Sequence, residues 1–543
     1  MSTLWIFWCL ALVVLPVYHF SFGNEIGRLK IRPVEGDFFV VSNLPDTRSD
    51  ILGSSNLKDW KVVYNGIMPV DRSCVVRGGW KLSKYFRVIP SVYTDSQPRI
   101  LYVSAKSGDD ALGKPNKVKE PFASLQKALQ ICANGDIIFI EEGFYEVVPT
   151  MTYGVERIKP MLELKNKRDI KIIGQGEVVF KGNGPGEFLR IAGCENILIQ
   201  GIEFRGDKPE VPENPVRLFT TVELSGYNQD IRFNKCRFVK FGNHGISQLH
   251  TPRASRNVYI ENCHFEDGGD ATVPVLFHDG AAISGIGSSW YVLNNTFVRC
   301  NRGVEVEGAF PGFPSQGILI EGNEILDSNN IGIMVFATNA PSNHYKDIVI
   351  RNNLIEHRYP NSGSGIVFDG LLGIQINGNL IKGYSIGVNI FPLKDLTNID
   401  ITDNDFIECD FGISVNRGAA QLKNMDVINN RFIRNTDFGL MAQHGDLRIL
   451  KNQFINYGTW LQNSAGVVLL GSNLWKSNYV LADNKFIKDT EISNAKFDII
   501  IDSIEGRVQL RDNKIGQSSE EPKVNIINWS DLTNQRLSEL QTN

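Results

Sequence analysis

The chain has 543 residues, with 56 Lys and Arg against 60 Asp and Glu and a formal net charge of −4. That balance lacks the basic footprint with which nucleic-acid binders neutralise phosphates, and nucleic acid is not an expected partner. The eight cysteines are sparse and contain no Cys-x-x-Cys pair, so they outline neither a disulfide framework nor a zinc site and read as buried thiols.

Residues 4–18 are an apolar run of signal-peptide length, short of a full membrane span, and Ser21-Phe22-Gly23 offers the small residues a signal peptidase needs. Residues 1–23 are therefore expected to be a signal peptide that sends the protein to the periplasm or out of the cell. Met1-Ser2-Thr3 carries no Lys or Arg, which leaves an uncleaved anchor as the alternative. No later segment has the length and apolarity of a span, so no membrane contact is expected beyond this one.

Residues 24–98 contain short apolar stretches, Asp37-Phe38-Phe39-Val40-Val41, Lys61-Val62-Val63-Tyr64 and Lys84-Tyr85-Phe86-Arg87-Val88, that predict the strands of a small β-module. Ser54-Ser55-Asn56-Leu57-Lys58-Asp59-Trp60, with Tyr85-Phe86-Arg87-Val88 later, resembles the modules attached to exported bacterial proteins, whose signature is Ser-x-Asn-Leu-x-x-Trp ending in Phe-Tyr-Arg-Val.

A second unit opens at Arg99. Leu101-Tyr102-Val103-Ser104 is followed by a Gly/Asp loop, by Pro121-Phe122-Ala123-Ser124-Leu125 and by Gly135-Asp136-Ile137-Ile138. Phe122, Leu125, Ala128 and Leu129 share one helical face, which predicts a helix closing the open end of a stacked core. The passage resembles the opening of the pectin-lyase-like β-helix proteins. That superfamily holds polysaccharide lyases, glycoside hydrolases, epimerases and non-catalytic adhesins, so the resemblance implies a fold and no single activity.

From there to residue 517 a phrase recurs roughly every 28 residues, within the range of solenoid repeats: an alternating apolar stretch, Asn or Cys, one residue, then Phe or Ile. It runs from Cys236-Arg237-Phe238 and Cys263-His264-Phe265 through Asn353-Leu354-Ile355 and Asn379-Leu380-Ile381 to Asn513-Lys514-Ile515. A second phrase, Gly-Ile-x-Val-x, places its apolar residues inward and the x positions outward, as in Gly365-Ile366-Val367-Phe368-Asp369. Period-2 patterning inside so long a repeat predicts an all-β, right-handed parallel β-helix over 99–517, with stacked Asn amides at one turn. Residues 518–543 read as a C-terminal tail, with a short helix after Ser530 to cover the last coil.

Outward positions of such a solenoid are ordinarily small and polar, so the coil around Glu305 stands out. Glu305 and Glu307 are i and i+2 on one strand, with Cα atoms roughly 6.6 to 6.8 Å apart, a spacing compatible with two carboxyl groups flanking one glycosidic bond. Aligning Gly280 with Gly303 puts Ala282 beside Glu305 and Asp279 beside Arg302. Asp279, Glu305 and Glu307 are the candidate catalytic carboxylates. His244, His278, Arg302, Phe310, Phe313, Tyr345 and Asp369 are the candidate substrate-binding residues, several lying in the longest inter-strand insertions, where aromatic rings suit the apolar faces of sugars. An outward Glu305 is expected to contribute little to stability.

His278-Asp279-Gly280-Ala281-Ala282-Ile283 with Arg302-Gly303-Val304-Glu305-Val306 resembles exported β-helical glycoside hydrolases such as α-L-fucosidases. Asn301-Arg302-Gly303-Val304-Glu305-Val306-Glu307 is more faintly similar to the Asn-Gly-x-Glu-x-Ile-Arg pattern of alginate and chondroitin lyases, with the Gly displaced and Glu307 in place of Arg. The implied function is glycoside hydrolysis of a polysaccharide or oligosaccharide. The alternatives are a lyase or uronate epimerase using calcium, whose ligands are oxygens, and a non-catalytic carbohydrate-binding surface protein. No other cofactor is implied.

Overall fold

The computed structural model describes strand backbones within 30–90 and, with side chains, most of 98–527. Outside the described residues are 1–29, 528–543 and the solenoid segments 148–161, 183–186, 207–219, 249–254, 270–279, 286, 308–314, 337–344, 360–361, 371–372, 419, 459–463, 471–476, 489–494, 496, 503–505 and 517–521. The apolar run at 4–18 and the C-terminal helix expected after Ser530 therefore lie outside them. Among the described residues no helix is long and apolar enough to cross a membrane.

The chain divides into two compact units, Met1–Gln97 and Pro98–Asn543. The first holds two antiparallel three-stranded sheets, with Asp37–Val41 central in one and Arg48–Ser54 central in the other.

The second unit is a parallel β-helix. Each coil gives one strand to each of three parallel sheets. The first sheet has 14 strands, from Leu162–Lys165 to Val524–Ile527; the second has 15, from Ile100–Val103 to Gly506–Arg511; the third has 14 short strands, from Gly143–Val147 to Lys514–Ile515. Pairing of Val524–Ile527 with Ile499–Asp502 carries the sheet past residue 517, where the sequence repeat ends.

Stacking explains the repeat phrase residue by residue. The Asn353 backbone N–H and Nδ2 both donate to Asn379 Oδ1, at 3.0 and 2.9 Å, and Nδ2 also reaches Ile320 O at 3.0 Å. The ladder continues through Asn404, Asn430, Asn452 and Asn484 to Asn513, and satisfies backbone groups that a sharp bend would leave unpaired. Residues just before the ladder are often Asn or Asp with positive φ, such as Asn352 at 55° and Asp403 at 57°, because these side chains tolerate the left-handed region. The phrase's final apolar residue stacks in the core: Phe238, Phe265 and Phe297 lie 4.7 and 4.9 Å apart by ring centroid. Ile366 and Val388 pair in the first sheet and are fully buried.

Six cysteines, among them Cys236 and Cys263 at the start of the ladder, are free and buried. The helix Leu125–Ile131 starts at Ser124, whose Oγ accepts from Lys127 N at 3.1 Å, and buries Leu125, Ala128 and Leu129 against the first coil.

Candidate functional site

All undescribed solenoid segments longer than three residues, from 148–161 to 517–521, lie in the chain between a strand of the first sheet and the adjacent strand of the second or third. The connections into the second and third sheets are otherwise short. Long connections on a rigid scaffold are where binding chemistry concentrates, so the outer face of the first sheet is the place to look.

Register on that sheet is set by inward side chains and by a column of small residues. Val304 pairs with Ile283 on one side and Ile333 on the other. Gly303, Gly332, Gly365 and Gly387 stack so tightly that a Cβ at Gly303 would lie 2.6 Å from Gly332 O. Gly245 continues the column, and its neighbour is Ala282, whose carbonyl would lie 2.6 Å from a Cβ at Gly245. Ala282, and not Gly280, therefore holds the glycine place. The alignment of Gly280 with Gly303 is corrected by two residues: Ser284 sits beside Glu305, and Ala281, not Asp279, beside Arg302.

This register lines up a row of buried polar side chains. Outward positions on four successive coils read Glu223, Ser247, Ser284 and Glu305. Three residues earlier on these strands, Ala281 lies beside Arg302, with His244 one coil before Ala281 by extension of the Ile246–Ile283 register. The serines and Ala281 are small, so they form a floor between larger groups. Arg302 Nη1 donates to Glu305 Oε1 at 2.8 Å, and the two side chains are 10% and 3% exposed, against 50% and 31% for the surface pair Arg431–Asp405. Desolvating such a pair costs several kcal/mol per ion before attraction is counted. Glu305 is thus an outward residue that is nevertheless buried, in a desolvated ion pair and not on a solvated face.

Glu223, also buried, stands three strand spacings from Glu305, roughly 14 Å. That exceeds the ~5 to 9.5 Å between the carboxyls of glycosidase pairs, so Glu223 belongs to the other end of the row. Sequence reading missed Glu223 and Ser247, and its alignment set Ser284 beside Glu307 instead of Glu305. Thr221-Val222-Glu223-Leu224 carries the same apolar-Glu-apolar signal as Val304-Glu305-Val306 and would have been found by aligning the inward pairs.

Glu307 lies on the same strand as Glu305, Arg302–Glu307, with its backbone beside Phe336. Asp369 lies beside Phe336 on the following coil. It is buried, and its Oδ1 accepts from Leu393 N and Lys394 N at 3.0 and 3.1 Å, a bond pattern that fastens the Phe391–Lys394 turn. Burial raises its pKa, partly offset by these bonds. Tyr345 begins a strand of the second sheet, Tyr345–Arg351. Asp279, His278, Phe310 and Phe313 lie outside the described residues, as do the side chains of Glu307 and Tyr345. Among the described residues no group of three or more His, Cys, Asp or Glu side chains is placed to hold a metal ion.

The architecture is a right-handed parallel β-helix with a row of buried polar side chains on one outer face. A family model described as a right handed beta helix region matches residues 314–454. Among solved structures, the catalytic unit of a GH87 α-1,3-glucanase from Streptomyces thermodiastaticus is 11% identical over 94% of this chain and 96% of its own, with a TM-score of 0.45. PfbA, a surface adhesin of Streptococcus pneumoniae, is 14% identical over 72% of this chain and 84% of its own, with a TM-score of 0.39. A mutant of the periplasmic alginate epimerase AlgG is 14% identical over 70% and 77%, with a TM-score of 0.33. No curated protein matches the chain.

Proposed function

We propose that the protein is an exported carbohydrate-active enzyme, a glycoside hydrolase whose substrate chain lies along this row on the outer face of the first sheet. The observation that carries this reading is the buried Arg302–Glu305 pair beside a floor of Ser284 and Ala281. The hydrogen bond from Arg302 Nη1 fixes the orientation of the Glu305 carboxyl, which suits Glu305 to the nucleophile or water-activating role. The acid partner would then be Asp279 or Glu307, the two other candidate carboxylates of the sequence. Arg302 orients Glu305, and Glu223 and His244 would engage sugar units further along.

The test is a panel of plant and algal polysaccharides with and without chelator, followed by the variant Glu305→Gln on any substrate found. Loss of a general acid, base or nucleophile is expected to lower turnover at least about 100-fold. Because Glu305 is buried, the comparison is made well below the variant's melting temperature. Turnover of Glu305→Gln within about tenfold of wild type removes the chemistry from this coil. Ultraviolet-absorbing unsaturated products would select a lyase instead, and absence of any product alongside measurable polysaccharide binding would select a non-catalytic surface protein.

A further inference from the structure

At the corner between the third and first sheets, two coils beyond Arg302, three chemically competent side chains converge. Asp327 follows the strand Glu324–Leu326, His357 follows Leu354–Glu356 on the next coil, and Ser362 opens the strand Ser362–Asp369. Ser362 Oγ is hydrogen-bonded to His357 Nε2. On the other side of the ring, His357 Nδ1 faces Asp327 Oδ1 at 3.8 Å. Asp327 is in turn held by Arg358, whose backbone N–H donates to Oδ1 at 2.9 Å and whose Nε donates to Oδ2 at 2.8 Å.

The surroundings are polar. His357 Nδ1 is buried and makes no hydrogen bond within the described structure, Tyr384 OH faces Ser328, and the His357 and Tyr384 rings lie 5.3 Å apart. A buried ring nitrogen left without a hydrogen bond is costly unless it serves a purpose. The corner also opens outward, since Tyr359 is 71% exposed and presents its ring edge-on to His357 at 5.9 Å. Burial holds His357 below its ordinary pKa against the opposing pull of Asp327, so the imidazole is neutral at neutral pH and able to accept a proton. By strand spacing, Ser362 is about 12 Å of backbone from Arg302, on the edge of the same sheet.

We propose that Ser362, His357 and Asp327 form a second site, a nucleophile, base and orienting carboxylate that hydrolyse short-chain acyl esters by way of an acyl-enzyme. The order of contacts is the one such chemistry requires: hydroxyl to one ring nitrogen, carboxylate toward the other. Ser362 Oγ attacks the ester carbonyl carbon as its proton passes to His357 Nε2. The bond to the alcohol oxygen then breaks, and the alcohol leaves with that proton. Water attacks the acyl-Ser362 ester, one proton passing through Nε2 back to Ser362 Oγ, and the carboxylic acid departs. Asp327 is a positioning residue, its Oδ1 3.8 Å from Nδ1 and facing the imidazolium formed in each step. Nothing in this chemistry depends on the glycosidic reading of the row on the first sheet.

The full-length protein is treated with an alkyl fluorophosphonate and, separately, with p-nitrophenyl acetate. The expected result is covalent labelling mapped by mass spectrometry to Ser362, and p-nitrophenol release that falls at least about 100-fold in Ser362→Ala, whose part-exposed site allows folding. Ser385→Ala, which removes the bond to Asp410 near the same corner of the next coil, should label as wild type. Asp327→Asn should lower kcat for p-nitrophenyl acetate with little change in KM, a split that loss of a turn clamp alone would not produce. Absence of labelling in the wild type, labelling at another residue, or unchanged ester turnover in Ser362→Ala overturns the proposal.

Discussion

Truncating one rung of the amide ladder should open the solenoid locally, and Asn379→Ala is the sharpest form of that perturbation. Asn379 Oδ1 accepts from both Asn353 N and Asn353 Nδ2, while its own Nδ2 donates to Ile350 O and Asn404 Oδ1, each at 2.9 to 3.0 Å. Alanine removes these four bonds and a fifth, from Nδ2 to Asn377 O at 3.2 Å, in a fully stacked turn. Asn404 Oδ1 keeps the Asn379 backbone N–H, but the Asn353 N–H and the Ile350 carbonyl lose these partners. Two buried groups at ~1 to 3 kcal/mol each give a cost of about 2 to 6 kcal/mol. Because each coil touches only its neighbours, the cost should fall on adjacent coils and not on the whole molecule. Hydrogen exchange of peptides spanning 345–382, read by mass spectrometry under native conditions, should accelerate by at least about 30-fold, the equivalent of ~2 kcal/mol. Asn513→Ala at the last rung, which is 9% exposed, should cost less because water can replace the lost partners. Equal and small effects at both positions, under about threefold in exchange rate, would show that the backbone bends are satisfied without the ladder.

Two further predictions concern titration. Asp369→Asn should leave stability at neutral pH equal to or above wild type, because the amide oxygen still accepts from Leu393 N and Lys394 N and burial penalises only the charged form; Asp369→Ala should lose about 1 to 3 kcal/mol in denaturant unfolding, and a destabilised Asn variant would mean that the charge itself is needed. His444 is buried with its pKa held below the ordinary value by desolvation, as is that of His357. The unfolded chain therefore binds protons that the folded one refuses, so both contribute stability that is complete above about pH 6.5 and declines as pH falls toward the folded values. His444→Gln should flatten the melting-temperature profile between about pH 6.5 and 5; an unchanged profile assigns the acid sensitivity to other groups.

The repeat phrases determined the solenoid by themselves, because each acts locally. An Asn before a short apolar strand makes the same turn wherever it occurs, and Ile366 and Val388 are inward because strand side chains alternate. The helix closing the first coil was equally legible from Leu125, Ala128 and Leu129, whereas Phe122 lies ahead of it and bridges to Val103.

Only the tertiary structure decided how neighbouring coils align, since lateral register depends on which side chains pack across the stack. A strand slip by two residues keeps every side chain on its own face, so alternation cannot detect it. Ala282 in the glycine column, with Ile283 against Val304, fixed Ser284 beside Glu305 and Ala281 beside Arg302. For the same reason Asp327, His357 and Ser362 carry no recognisable spacing in the sequence. Asp327 and His357 stand 30 residues apart and meet because one coil lies on the next, while Ser362 reaches the ring across the sheet corner. Burial of Glu305 was likewise beyond the local pattern: alternation fixes that a side chain points away from the core, and only the assembled outer face determines whether water waits there.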